Sequence, residues 1–182
     1  VDLVIWTPAV PADHKELNWF RSHGTPLKKR AEVLGLISKS KRCIAVGGTH
    51  GKTTTSTLTA WLLRATGVDI YAFVGGISGN MGSNFIEGDS DWVVVEADEY
   101  DRSFLQLYPE VAVINAVDAD HLDIYGDEAE VRKTYEQFAR QVNKNGLLLL
   151  QTPDVIAPGE SWETEAEVRS FGIDAGDYKA VN

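Results

Sequence analysis

Apolar residues along this chain fall into short blocks set between longer stretches of helical spacing. Leu3–Trp6, Cys43–Val46, Ile70–Val74, Trp92–Val95, Val111–Ile114 and Leu147–Leu150 are each four or five residues long and rich in Val, Ile and Leu. Runs of that length, bounded by polar, Gly or Pro positions, predict strands buried on both faces, as in a parallel sheet. The intervening segments repeat their apolar positions every three to four residues. His14–His23 reads as a helix stopped by Gly24 and Pro26. Lys28–Lys39, Thr53–Ala65 and Glu128–Val142 read as three more. The tail blocks Val168–Phe171 and Tyr178–Val181 suggest two further short strands. The segment 153–167, rich in Pro, Gly and acid, reads as a mobile loop. Alternation of strand and helix predicts an α/β fold with a mainly parallel sheet and helices on both faces.

A polar stretch at Ser38–Lys41 separates the first two helices from the block that starts near Arg42. It suggests a boundary, with residues 1–40 closing one domain and residues 41–182 forming a second. The first block already opens at Leu3, so the chain reads as starting inside a domain. No apolar run approaches the ~20 residues needed to cross a bilayer, and no signal peptide is visible. The single cysteine, Cys43, sits among Ile44, Ala45 and Val46. It cannot form an intrachain disulfide, and its neighbours mark it as a core residue. A reducing cytoplasm fits that usage.

Net charge is −10, which argues against nucleic acid as a partner, since phosphate-backbone binding needs surplus Lys and Arg. The acid is concentrated in Glu87, Asp89, Asp91, Glu96, Asp98, Glu99 and Asp101. The first three read as a solvated loop. The last four follow a buried strand directly and invite a different reading.

That reading begins at Gly47-Gly48-Thr49-His50-Gly51-Lys52-Thr53-Thr54-Thr55, which lies between a predicted strand and a predicted helix. Glycines let successive backbone N–H groups turn toward phosphate oxygens. The helix N-terminus adds about half a positive charge. Lys52 supplies a full charge for the β- and γ-phosphates of a nucleotide, and Thr53 a hydroxyl for Mg²⁺. Gly48, Thr49, His50, Gly51, Lys52, Thr53 and Thr54 are therefore the expected nucleotide-binding residues. The loop departs from the usual pattern, which puts four residues between its first glycine and the Gly-Lys pair, because Val46 holds that first place. A loop lysine supports little core, so removing Lys52 is expected to leave the fold intact.

In parallel α/β sheets, ligands bind beyond the carboxyl ends of the strands. The strand ending at Val95 delivers Glu96 to that edge, and a hard cation such as Mg²⁺ prefers carboxylate, hydroxyl and phosphate oxygens. Glu96 is thus the expected metal ligand. The strand ending at Ile114 delivers Asp120-His121-Leu122-Asp123, with His121 a further candidate at the metal; Asp120 and Asp123 read as orienting the loop. No Ser-His-Asp set is present. The one Asn-Lys pair, Asn143-Lys144, is followed by Asn145 and Gly146. A guanine-reading switch is therefore disfavoured. A small-molecule kinase would need a lid and an acceptor site of its own.

Together, Gly48-Thr49-His50-Gly51-Lys52-Thr53-Thr54, Glu96-Ala97-Asp98-Glu99 and Asp120-His121-Leu122-Asp123 resemble the Mur ligases, cytoplasmic enzymes that build the peptide of the bacterial cell-wall precursor. The short phosphate loop is the form that this family uses. His50 and the Glu-Ala-Asp-Glu run resemble two branches. One joins L-alanine to UDP-N-acetylmuramate, and the other reattaches a recycled tripeptide to the same sugar nucleotide. Ser103-Phe104-Leu105 through Ile124-Tyr125 is closer to the alanine-adding branch.

The resemblance implies ATP and Mg²⁺ as cofactors, with UDP-N-acetylmuramate and L-alanine as substrates. It places Lys52 on ATP, Thr53 and Glu96 on one Mg²⁺, and Glu96 with His121 near a second. Lys52, Glu96 and His121 would then carry catalysis. It further implies that residues 1–40 close a Rossmann-like domain for the uridine nucleotide, with Thr7–Val10 and Lys29–Glu32 similar to its last segments. Residues 41–182 would be the central ATP-binding domain. Relatives in this family carry a carbamylated lysine on the helix after the histidine loop; Lys133, the only lysine there, is a poor candidate. Asn80, Asn84 and the Gly75-Gly76 loop are candidates to grip the muramyl group.

Overall fold

The computed structural model describes residues 1–77, 79, 82–157 and 159–181. Ten strands and five α-helices follow in the order β1 (Val4–Trp6), α1 (Lys15–Ser22), β2 (Leu27–Lys29), α2 (Arg30–Ser40), β3 (Arg42–Gly47), α3 (Lys52–Ala65), β4 (Tyr71–Phe73), β5 (Phe85–Ile86), β6 (Trp92–Glu96), β7 (Val111–Ile114), α4 (Leu122–Tyr125), α5 (Glu128–Ala139), β8 (Leu147–Gln151), β9 (Glu167–Gly172) and β10 (Tyr178–Lys179). A 3-10 segment, Tyr100–Gln106, lies between β6 and β7.

β1 and β2 pair in parallel as a small separate sheet. The main sheet has the order β10-β9-β8-β7-β3-β6-β4-β5. Its pairs are parallel except β4 with β5. The expected mainly parallel sheet is therefore present, and β3 lies in its interior between β6 and β7. Successive side chains of a strand point to opposite faces, and the core divides accordingly. Cys43 and Ala45 of β3, with Val93 and Val95 of β6, join Phe104, Tyr135 and Phe138 on one face. Ile44 and Val94 face the other way, against Ala60 of α3 and Ile70, Ala72 and Ile86. Val93, Val94 and Val95 are fully buried, each contributing roughly 1.5–3 kcal/mol of burial.

α5 begins at Asp127, whose side chain accepts from Glu130 N at 2.9 Å, an N-cap for the helix that covers one face of the site. Cys43 is buried, and burial pushes its thiol up to about 12.

Three expectations change. Leu27–Lys29 is a strand rather than the start of the second helix, because pairing with β1 satisfies its backbone groups before α2 begins. The short β5, the 3-10 segment and α4 had no counterpart in the apolar pattern. The segment expected to be a mobile loop is anchored to the core by Val155, Ile156 and Trp162, which are 1%, 4% and 5% exposed. Three apolar side chains spaced irregularly leave no period to read, yet they bury as well as a strand would. Asn80 lies outside the described residues. No helix among the described residues is long and apolar enough to cross a membrane.

Candidate functional site

Three adjacent strands set the site. Register pairs Val46 of β3 with Glu96 of β6, and Gly47 of β3 with Ile114 of β7. The loops that leave β3, β6 and β7 therefore start side by side at one edge of the sheet. The loop after β3 is folded against the loop after β7: Thr49 N donates to Ala116 O at 2.9 Å, and Asn115 N to Gly47 O at 3.1 Å. Thr49 Oγ1 donates to Asp118 Oδ2 and accepts from Asp118 N, both at 3.1 Å. Asn115 Nδ2 donates to Thr55 Oγ1 at 3.0 Å. Gly48 has φ 130°, and a Cβ there would lie 2.9 Å from Ala116 N. Glycine is the residue that fits such a backbone and such an approach.

Of the expected nucleotide-binding residues, Gly48 and Thr49 form the buried floor of the loop, while His50, Gly51, Thr53 and Thr54 are exposed. His50 Nε2 lies 3.4 Å from Asp118 Oδ2. Lys52 opens α3, and its ammonium turns back into the loop, donating to Gly48 O at 2.8 Å and to Glu99 Oε1 at 2.9 Å. Thr53 Oγ1 donates to Glu96 Oε1 at 2.9 Å, and Gly75 N donates to Glu96 Oε2 at 2.6 Å. Glu96 is thereby held at the mouth of the loop by one hydroxyl and one backbone amide.

Glu96 and His121, expected near one metal, take their contacts from different groups, Glu96 from Thr53 and Gly75, His121 from Glu99 and Asp120. His121 Nε2 lies 3.6 Å from Glu99 Oε1, and Glu99, Asp120 and His121 bring one ligand atom each within 4.8 Å of one another. His121 has φ 51°, an uncommon backbone for a side chain with a Cβ. Its amide donates to Asp120 Oδ1 at 2.8 Å, so Asp120 does orient the loop. The residue the sequence reading assigned no role is Glu99. Its side chain is 2% exposed. Its backbone oxygen accepts from Tyr125 Oη at 2.5 Å, and among the described residues its Oε2 has no hydrogen-bond partner. Asp101 and Arg102 just after it both have φ 53°. This turns the chain so that Phe104 enters the core, 1% exposed, while Glu99 stays beneath the loop. No linear signal distinguishes Glu99 from its exposed neighbours.

Near Glu99 stands Tyr135 of α5, fully buried and with a hydroxyl that lacks a well-formed hydrogen bond among the described residues. Burial first, then the nearby Glu99 charge, raises its phenol well above the usual range. Tyr125 is pushed up to about 12 by the same two causes in the same order. Glu87, Asp89 and Asp91 are exposed, as a solvated loop would be. Lys133 is an exposed partner of Glu130 at 3.0 Å, far from the role of a carbamylated ligand.

Beside Glu96 opens a cavity of about 300 Å³, lined by Ile5, Arg30, Phe73, Gly75, Asn84 and Glu96 among others. It lies between the N-terminal segment and the main sheet. Arg30 Nη2 reaches Asp98 at 3.5 Å and Lys29 Nζ reaches Asp101 at 2.9 Å, so α2 is tied to the acidic loop at its rim. The oxygen-rich set around Glu96 suits a hard divalent cation. Thr53 and Gly75 orient the carboxylate.

The chain resembles proteins of known activity over most of its length. UDP-N-acetylmuramate–L-alanine ligase of Flavobacterium psychrophilum is 52% identical over 179 residues, covering 97% of this chain and 40% of that protein. The enzyme of the same name from Porphyromonas gingivalis is 54% identical over 179 residues, covering 98% of this chain and 38% of that protein. The crystal structure of UDP-N-acetylmuramate-alanine ligase from Thermotoga maritima superposes with a TM-score of 0.80 at 29% identity, covering 96% of this chain and 39% of that one. The chain thus spans about 40% of the length of the curated relatives it matches. The family description "Mur ligase middle domain" matches residues 46–182, and with a phosphate loop, an acidic strand end and a histidine loop meeting at one sheet edge, the chain belongs to the Mur ligase family.

Proposed function

We propose that this chain is the ATP-binding core of a cytoplasmic ligase that joins L-alanine to UDP-N-acetylmuramate in building the cell-wall precursor. The observation that carries the reading is that Lys52 and His121 both reach Glu99, while the neighbouring Thr53 holds Glu96, in loops that leave three neighbouring strands. The relatives named above support the choice of substrates. Residues 1–40 would close the domain that holds the uridine nucleotide, and residues 41–182 would be the central domain.

The reaction has two steps. The muramate carboxylate attacks the γ-phosphorus of ATP, and ADP leaves, giving an acyl phosphate. The amine of alanine then attacks the acyl carbon, and phosphate leaves with the amide formed. The first step needs positioning and charge neutralisation rather than a protein nucleophile. Backbone N–H groups of the loop and the ammonium of Lys52, exchanging its long bond to Thr49 O, would hold the phosphates. Thr53 and Glu96 would hold Mg²⁺, with His121 and Glu99 close by, and the ion would neutralise charge on the transferring phosphoryl group. The cavity beside Glu96, with Arg30, Asn84 and Gly75 in its wall, is the place for the acceptor carboxylate.

The test is phosphate release by the full-length protein with ATP, Mg²⁺, UDP-N-acetylmuramate and either L-alanine or the tripeptide. Turnover with L-alanine is expected. Turnover with tripeptide alone moves the protein to the other branch, and turnover with neither overturns the reading. The 182-residue chain by itself should not ligate, because the acceptor and the amine then lack most of the surface that would hold them. Positioning of that kind is worth effective molarities of ~10⁵–10⁸ M.

A further inference from the structure

Lys52 is the one ammonium inside the phosphate loop, and it is already neutralised. Its N–H donors go to Glu99 Oε1 at 2.9 Å, to Gly48 O at 2.8 Å and, at the longest range of 3.5 Å, to Thr49 O, the bond an incoming anion would displace most readily. An anion that takes that donor sits one hydrogen bond from Nζ, and therefore within about 6 Å of Glu99 Oε1. Glu99 is 2% exposed, so solvent and salt screen its charge poorly at that range. Further negative charge surrounds the loop in Glu96, Asp118 and Asp120. The basic side chains that reach the acidic loop from the end of β2 and the start of α2, Lys29 and Arg30, are paired with Asp101 and Asp98.

The fold gains little from this carboxylate. Among the described residues its Oε2 is buried without a hydrogen-bond partner, an arrangement that costs stability and that persists where a site uses it. A glutamine of the same shape could still accept from Lys52, so the ionised form adds charge rather than shape.

Resting on the ligase reading above, we propose that Glu99 is a specificity-determining residue that makes the phosphate loop accept polyphosphate only together with its divalent cation. Glu99 cancels the lysine, and the loop amides alone hold a bare polyphosphate weakly. A nucleotide that brings its cation meets Glu96 and Glu99 as attractive groups instead of repulsive ones. The residue thus separates metal-loaded nucleotide from free nucleotide before any chemistry occurs.

The experiment is calorimetric binding of ADP to the full-length protein, once with EDTA and once with excess Mg²⁺, for wild type, Glu99→Gln and Glu99→Asp. Glu99→Gln should tighten metal-free ADP by at least ~10-fold and change Mg-ADP by less than ~3-fold, as expected for loss of one poorly screened like charge. Glu99→Asp keeps the charge and should keep the wild-type preference. A Glu99→Gln protein in which both forms shift by the same factor, or in which metal-free ADP binds no better, overturns the inference while leaving the ligase reading intact. Wild type supplies a second test that does not depend on any variant folding: metal-free ADP binding as tightly as Mg-ADP overturns the inference. A wild type that binds neither form overturns the ligase reading and this inference with it.

Discussion

The hydroxyl of Thr53 donates to Glu96 Oε1 across 2.9 Å, joining the first turn of α3 to the end of β6. A β-branched, hydroxyl-bearing residue is a middling helix former, and three threonines in a row open this helix. Their hydroxyls explain the choice: Thr53 orients Glu96, and Thr55 accepts from Asn115.

Glu96→Gln should therefore raise the Mg²⁺ concentration for half-maximal ligation in the full-length protein by at least about tenfold, the scale seen when groups around a metal are lost. Asp91→Asn, at an exposed position in the same acidic run, should change it little. A Mg²⁺ titration of both variants decides the matter; equal effects would show that the run acts only as bulk negative charge.

Lys52→Ala should lower kcat on the order of 10²–10³-fold, as when one preorganised donor to a developing charge is removed. The ion pair with Glu99 also corrects the expectation that this lysine supports little of the fold. Its removal leaves a buried carboxylate alone, at a cost of roughly 2–4 kcal/mol, since Lys52 retains some exposure. Urea denaturation should show that loss, and the double variant Lys52→Ala/Glu99→Gln should recover most of it. Full wild-type stability in the single variant would contradict the pairing.

Gly75→Ala probes the approach of backbone to carboxylate. A Cβ at position 75 would lie 2.4 Å from Glu96 Oε1, so Glu96 must move and its bond from Gly75 N must weaken. A cost of about 1–3 kcal/mol is expected for such overpacking, together with a higher Mg²⁺ requirement. Thermal unfolding and Mg²⁺ titration are the measurements; an unchanged metal requirement would show that Glu96 tolerates displacement.

Alkaline stability should follow three buried acids. Cys43 and Tyr125 are held up to about 12, and Tyr135 higher than usual, so each keeps its proton in the folded chain. Unfolded, they titrate near 8.5 and 10. The unfolded state thus binds fewer protons above those values. The stability they contribute is intact below pH ~8.5 and falls as pH rises toward the folded values. Tyr135→Phe should be nearly neutral at pH 7, because the hydroxyl lacks a well-formed hydrogen bond among the described residues. Above pH ~10 it should make the decline shallower by about 1.4 kcal/mol per pH unit. Urea midpoints at pH 7.5, 9.5 and 11 test this, and parallel declines in both proteins would refute it.

What the sequence determined by itself is the set of parts and their order. Buried parallel strands must be apolar on both faces, so β3, β6, β7 and β8 stand out as unbroken runs. A phosphate loop needs glycines and a lysine between strand and helix, and residues 47–55 supply them in that context. Glu96 is legible because it is the first polar residue after such a run. The tertiary structure decided which parts meet. Strand order is set by pairing between segments distant in the chain, and no local pattern encodes that β3 lies between β6 and β7. Lys28 and Lys29 looked helical because their pairing partners, Ile5 and Trp6, are more than twenty residues away. Glu99 was one acid among four until the left-handed Asp101 and Arg102 turned the chain and buried it against Lys52. Burial of a charge depends on everything packed around it, and that is a property of the fold rather than of the residues on either side.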